Sequence, residues 1–327
     1  MRAPEGPQTL LVPQMNTSDL LEIALPLLAI PTAPFREEGI RSAVLSLLAT
    51  LKHVSATVDP FGNVLARFQR GDRTPRWMLS AHMDHPAYVQ GSFEGGVPAH
   101  ILEKNPPTRP CQDFAVWDLP APRVEDGVLH APACDDLIGC AAILGTLVQL
   151  EKTGAEATIY AAFTCAEEVG LLGAAFLAKS GAIPPGVAAL SLETSAQNAV
   201  CRMHEGVVVR VGDRTSVFDS ALTARLWRIA SEQKIQSQRG LMSGGTCEAT
   251  AYQIFGTPAA AACIPLGNYH NCTPEGTIGS EFVSVSDFDA LFRLCTAAAL
   301  DDSTACPFED LRNRIERRLL ERGCAAR

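Results

Sequence analysis

The sequence is short of positive charge. Its 27 Lys and Arg stand against 36 Asp and Glu, a net charge of −9. A nucleic-acid surface needs a basic face, so nucleic acid is not an expected partner. Long apolar runs are missing as well. None approaches the roughly 20 residues that a helix needs to span a bilayer, and no membrane partner is expected. Residues 1–14 are Pro-rich but carry no apolar core and no small-residue cleavage site, so no secretory signal is read there. The 11 cysteines include no CxxC pair. Without a signal, reduced and mostly buried thiols are expected rather than disulfides, in a cytoplasmic protein.

What is present suits a full core. Hydrophobic residues make up 47% of the 327 and charged residues 19%. That length and balance fit one large domain or two unequal ones, and exclude global disorder.

The informative stretch runs from Thr158 to Ala174. It opens with a buried-strand pattern, Ile159-Tyr160-Ala161-Ala162-Phe163, and turns at two adjacent carboxylates, Glu167 and Glu168. It closes on Gly170 and Gly173 and leads into an apolar helix. Carboxylates at the carboxyl end of a buried strand sit where an open α/β sheet places its chemistry. Adjacent residues of an extended segment point opposite ways, so one glutamate can face a metal and the other a water or substrate. Metal-assisted hydrolysis needs that division.

Other strand ends carry matching residues. Trp77 to Ala81 delivers His82-Met83-Asp84, Cys134-Asp135-Asp136 opens an apolar helix over 137–150, Val187 to Leu192 ends at Glu193, and a core strand over 257–264 ends near His270. Residues 86–130 differ in character: short alternating runs are split by Gly95-Gly96, Pro106-Pro107 and Pro120-Ala121-Pro122. They predict a small β insert, 86–130, between two parts of one catalytic unit, 17–85 and 131–327. Residues 282–300 read as helix. A last helix, with Leu311, Ile315 and Leu319 on one face and arginines on the other, reads as a solvated surface element.

Taken singly, these residues have plain explanations. His82 fits a hydrogen-bonded strand-end histidine, Asp135-Asp136 a helix N-cap, and His270 a loop residue. Together, in this order, His82, Asp135, Glu168, Glu193 and His270 are a ligand set of imidazoles and carboxylates. Such donors suit zinc, with cobalt or manganese as alternatives. Two His and three carboxylates fit two divalent ions sharing a bridging Asp135. Glu167 would then act as base, and Asp84 would orient the His82 ring. His85 lies close enough in sequence to line the pocket.

Ala81-His82-Met83-Asp84, Cys134 to Cys140 and Glu167 to Ala174 resemble the di-zinc aminopeptidases of the tetrahedral and glutamyl aminopeptidase family. Asp59 to Asn63, the run Gly206 to Asp219, Gln238 and Gly244-Gly245-Thr246 support the likeness, which covers about Leu20 to Leu294. The resemblance implies an α/β fold: a three-layer α/β/α exopeptidase domain with a mixed central sheet and a small inserted β domain for dimerisation or gating. It implies the five metal ligands above, Glu167 as base, a cis peptide between Asp135 and Asp136, short peptide substrates and a homo-oligomer. Gly244, Gly245, Thr246 and Glu248 are expected at the substrate, with Glu248 a candidate for the free amine. Four departures stand out. The insert is shorter than usual, Glu193 replaces an Asp, Cys247-Glu248 replaces Asp-Ala, and His85-Pro86 stands where an acid and a small residue are more usual. Two rival readings remain: an amidase or deacylase on a small N-acyl compound with the same metals, and a metal-binding scaffold without turnover. The intact Glu167 argues against the scaffold, which would need ligands but no base.

Overall fold

The computed structural model describes residues 15–303 and 307–322. The Pro-rich stretch 1–14 lies outside them. In chain order the first elements are α1 (Thr17–Leu28), α2 (Glu38–Leu48), β1 (Val54–Val58), β2 (Val64–Arg70), β3 (Trp77–His82), β4 (Ala87–Val89), β5 (Ser92–Glu94), α3 (Ala99–Leu102), β6 (Thr108–Cys111) and β7 (Phe114–Trp117). Next come β8 (Arg123–Glu125), β9 (Val128–Ala131), α4 (Leu137–Thr153), β10 (Ala157–Thr164), α5 (Leu172–Ser180), β11 (Ala188–Ala196), β12 (Val207–Asp213) and α6 (Ser220–Glu232). The rest are β13 (Ser237–Met242), α7 (Glu248–Ile254), β14 (Ala259–Gly267), a 3-10 turn at Tyr269–Asn271, β15 (Glu281–Ser284), α8 (Val285–Leu300) and α9 (Glu309–Glu321).

The main sheet has 11 strands, in the order β1-β2-β10-β3-β11-β14-β15-β9-β8, with β12 and β13 branching from β14. Its centre is parallel: β3 lies between β10 and β11, and β11 lies beside β14. β2 and β15 pair antiparallel at the flanks of that centre, so the sheet is mixed. Alternation sorts the side chains between two cores. Trp77, Leu79 and Ala81 of β3 join the core under α1, α4, α6 and α8. Met78 joins Ala162, Ala189 and Ala261 against α5 and α7. Helices on both faces make three layers, as expected of a sheet whose central strands are apolar throughout.

Local caps explain the starts. Asn16 caps α1 by accepting from the Asp19 N–H. Asp136 caps α4 by accepting from the Gly139 N–H, and Gly154 at φ 66° ends it. No helix among the described residues is long and apolar enough to cross a membrane.

Two expectations need correction. The helix read over 282–300 begins at Val285, because Glu281–Ser284 pairs with Ala131–Val128 of β9 and Val283 faces Leu266 of β14. The predicted insert 86–130 divides. β4 to β7 form a separate four-stranded sheet, whereas β8 and β9 belong to the edge of the main sheet. The separating Pro-rich link, 118–122, marks that change better than the later return to an apolar helix. β13 pairs with β12 alone and escapes sequence reading, because its SQRGLM pattern is mostly polar.

Candidate metal centre and cleft

The parallel strands deliver their carboxyl ends to one place. His82 ends β3, Glu193 lies in β11, and Glu167-Glu168 follow β10. Asp135 lies between β9 and α4, and His270 lies in the turn after β14. His82 is 1% exposed, Asp135 3%, Glu193 5% and His270 6%.

Asp135 sits between the two histidines. Its Oδ1 is 3.5 Å from His82 Nε2, and its Oδ2 is 3.6 Å from His270 Nε2. Glu168 Oε2 lies 3.2 Å from His270 Nε2, and Glu167 Oε2 lies 4.0 Å from His82 Nε2. Two groups of donor atoms, each within 4.8 Å of one another, share Asp135: His82–Asp135–Glu193 and Asp135–Glu168–His270. A third such group is His82–Glu167–Glu168. Asp135 Oδ1, Glu168 Oε1 and His270 Nε2 are buried and have no hydrogen-bond partner among the described residues. Buried polar atoms are normally satisfied. Donor atoms that converge without partners are what a bound cation would satisfy, so these residues fit a metal.

Both imidazoles are oriented from behind. His82 Nδ1 donates to the Asp84 carbonyl oxygen at 3.1 Å, and the Asp84 carboxylate lies 3.5 Å away. His270 Nδ1 donates to the Gly96 carbonyl at 3.2 Å. Each ring thereby turns Nε2 toward the acidic cluster. The Asp84 carboxylate also accepts from the N–H groups of Glu167 and Glu168, at 2.9 and 3.1 Å. One buried side chain thus aims one His and two Glu. Sequence reading found Asp84 but missed Glu37, whose carboxylate accepts from the Ala166 N–H at 3.1 Å, just before the pair. It also missed Gly96, since a carbonyl acceptor leaves no mark in the side-chain pattern.

The electrostatics follow from burial and crowding. Burial would raise the Asp135 carboxyl, but the His270 and His82 rings facing it hold it well below the carboxylate range. Burial pushes Glu193 up to about 8, against the opposing pull of His82. Glu167 is driven well above its ordinary value by burial, opposed by His82 and reinforced by Glu193 and Glu168.

A cleft of about 450 Å³ opens over the cluster, walled by the loops after β11 and β13 and by Tyr269. Gly244, Gly245 and Thr246 line it, as does Glu167. Glu248 does not. It is 0% exposed, and its carboxylate turns inward to accept from Ser80 Oγ at 2.9 Å, beside Tyr252. As the first residue of α7, it points into the layer between helix and sheet, so the amine-binding role does not stand. His85 is also away from the cleft wall. It is 5% exposed, with Nδ1 2.8 Å from the Asp135 carbonyl and Nε2 2.9 Å from Asn271 Oδ1. The chain turns at Pro86 and carries the ring behind Asp135. The cleft instead contains Arg210 of β12, 3% exposed, whose Nε has no hydrogen-bond partner among the described residues. The peptide between Asp135 and Asp136 is cis.

A family model for the M42 glutamyl aminopeptidases matches residues 110–294, more than half of the chain. The chain belongs to the M42 glutamyl aminopeptidase family. A curated protein of Acetivibrio thermocellus, described as a candidate aminopeptidase, is 27% identical over 189 residues, which are 54% of each chain. The match thus spans about half the length of that relative. Among solved structures, an aminopeptidase of the archaeon Desulfurococcus kamchatkensis is similar with TM-score 0.72 and 21% identity, over 89% of this chain and 96% of that one. The Pyrococcus horikoshii TET1 peptidase, which can assemble into a tetrahedron or a large octahedral shell, matches with TM-score 0.70 and 22% identity, over 88% and 100%. At that identity the structures establish the fold, and with it the α/β class and mixed central sheet that the sequence led us to expect.

Proposed function

We propose that this M42 chain is a metal-dependent aminopeptidase acting on short peptides. The observation that carries the reading is the pair of ligand groups sharing Asp135, with Glu167 beside them in the cleft wall. His82 and Glu193 would hold one divalent ion, Glu168 and His270 the other, and Asp135 both. Zinc suits these donors best, with cobalt or manganese next. When bound, the ions supply the Lewis acidity that makes a water nucleophilic near neutral pH and polarises the scissile carbonyl. Glu167 takes the proton from the attacking water and passes it to the leaving amine. Its raised proton affinity suits that relay. Asp84 keeps Glu167 and Glu168 aimed while the proton moves.

Arg210 supports a substrate class. Glu193 and Asp213 act on this buried guanidinium, yet its Nε has no hydrogen-bond partner among the described residues and would be satisfied by an arriving anion. In the cleft, that anion is the side chain of an acidic N-terminal residue, in keeping with the glutamyl specificity in the family's description. The loop after β5, through Gly96, helps frame the site, and the assembled relatives support a homo-oligomer. The cytoplasm is the compartment we assign.

The test is a substrate screen on zinc-loaded protein, comparing glutamyl, leucyl and N-acylated forms. Turnover that needs a free amine and prefers glutamyl is the expected result. Arg210→Met should reduce the glutamyl-to-leucyl ratio roughly tenfold or more. Cleavage of N-acylated compounds alone would replace this reading with the deacylase.

A further inference from the structure

The peptide unit of Asp135 is gripped on both sides by buried side chains. On its N–H side, Glu281 Oε2 accepts from the N–H groups of Cys134 and Asp135, at 2.7 and 3.1 Å. Glu281 is 0% exposed and comes from β15. On the carbonyl side the partner is His85, whose Nδ1 lies 2.8 Å from the Asp135 oxygen.

The other end of the His85 ring leads to the last ligand. Its Nε2 meets Asn271 Oδ1 at 2.9 Å. The orientation of that amide is fixed, because Asn271 Nδ2 donates to the Pro132 and Gly279 carbonyls at 2.8 and 3.1 Å. An oxygen, not an NH₂, therefore faces the ring. Both ring nitrogens thus face oxygen atoms, one the Asp135 carbonyl and the other the Asn271 amide. Asn271 follows His270 directly, and the two residues have φ of 62° and 51°. The turn carrying His270 is therefore tied to the backbone of Asp135 through one imidazole. A carboxylate at position 85 would have no hydrogen to give to either acceptor.

We propose that His85 is a positioning residue that locks the shared ligand Asp135 to the turn bearing His270, its ring bridging the Asp135 carbonyl and the Asn271 side chain. The role rests on the metal reading above. It acts on one ion more than the other. The Asp135–Glu168–His270 group has two of its three members held by the tie, whereas His82–Asp135–Glu193 has one.

The test is a stepwise zinc titration of metal-free protein against a chromophoric chelator. His270→Ala, run alongside, marks the step that depends on that ligand. His85→Ala should weaken the marked step about tenfold or more and leave the other within about threefold, the size expected when a partner behind a ligand is removed. Asn271→Ala cuts the same tie at its far end and should give the same pattern. It stands in if His85→Ala fails to fold by circular dichroism. Both steps unchanged, or both weakened equally as general loosening would give, overturns the proposal. Wild-type protein that binds no zinc would instead sink the metal reading itself, so the two failures are distinguishable.

Discussion

The main sheet and the four-stranded sheet obey opposite rules. In the main sheet β3 and β14 are buried at every residue, and their carboxyl ends lead to ligands. In the small sheet β5, β6 and β7 are mostly exposed or half-buried, held by the ring cluster Tyr88, Phe93 and Trp117. The buried sheet is close-packed on both faces, so its side chains have little room to shift. The loop after β5, outside the small sheet itself, reaches the site with the Gly96 carbonyl on His270. A rigid platform thus carries the chemistry, and a lightly anchored element adjusts one ligand.

The sharpest way to break that contrast is at the base. Glu167→Gln should lower kcat/KM by roughly 10² to 10⁴, the usual size for a general base, while zinc content by elemental analysis stays as in wild type. Loss of metal as well would show that Glu167 is a ligand rather than the base. Next is the platform itself. Leu190→Ala, at a 0% exposed position of β11, should cost about 2–5 kcal/mol in denaturant unfolding. Phe93→Ala in the half-buried small sheet should cost about 1 kcal/mol or less. Equal losses would mean that the two sheets form a single cooperative core.

A pH experiment probes the support behind the glutamates. Burial, with the Asp84 charge nearby, raises Glu37 from 4.5 to about 7. A carboxyl raised on folding favours its neutral form, so its contribution is complete below about 4.5 and is lost as pH rises through about 7. Between those values wild type should lose up to ~3 kcal/mol that Glu37→Gln does not. Parallel pH curves for the two proteins would remove Glu37 from the account. The smallest effect is expected at the rim. Glu125→Ala, breaking an exposed pair with Arg123, should shift stability by less than about 0.5 kcal/mol.

Sequence reading went far at strand ends and failed at orientation. His82, Asp135, Glu168, Glu193 and His270 were legible because each closes or follows an apolar run, and the fold gathers such ends. Glu248 and His85 misled because sequence neighbours of a site need not face it: one turns under α7, the other behind Asp135. Arg210 and Glu281 lie within strands, and sequence reading singled out neither. Their roles come from pairing partners in the sheet, which no local pattern records. Gly244 to Thr246, expected at the substrate from the family resemblance, line the cleft.

The central claim is that one buried carboxylate, Asp135, serves two metal ions. Elemental analysis of zinc-reconstituted wild type beside Asp135→Asn tests it most directly. The account expects about two zinc per wild-type chain, and loss of both ions, not one, in the variant. Wild type that retains no zinc, or a variant that keeps one ion at full affinity, would contradict it.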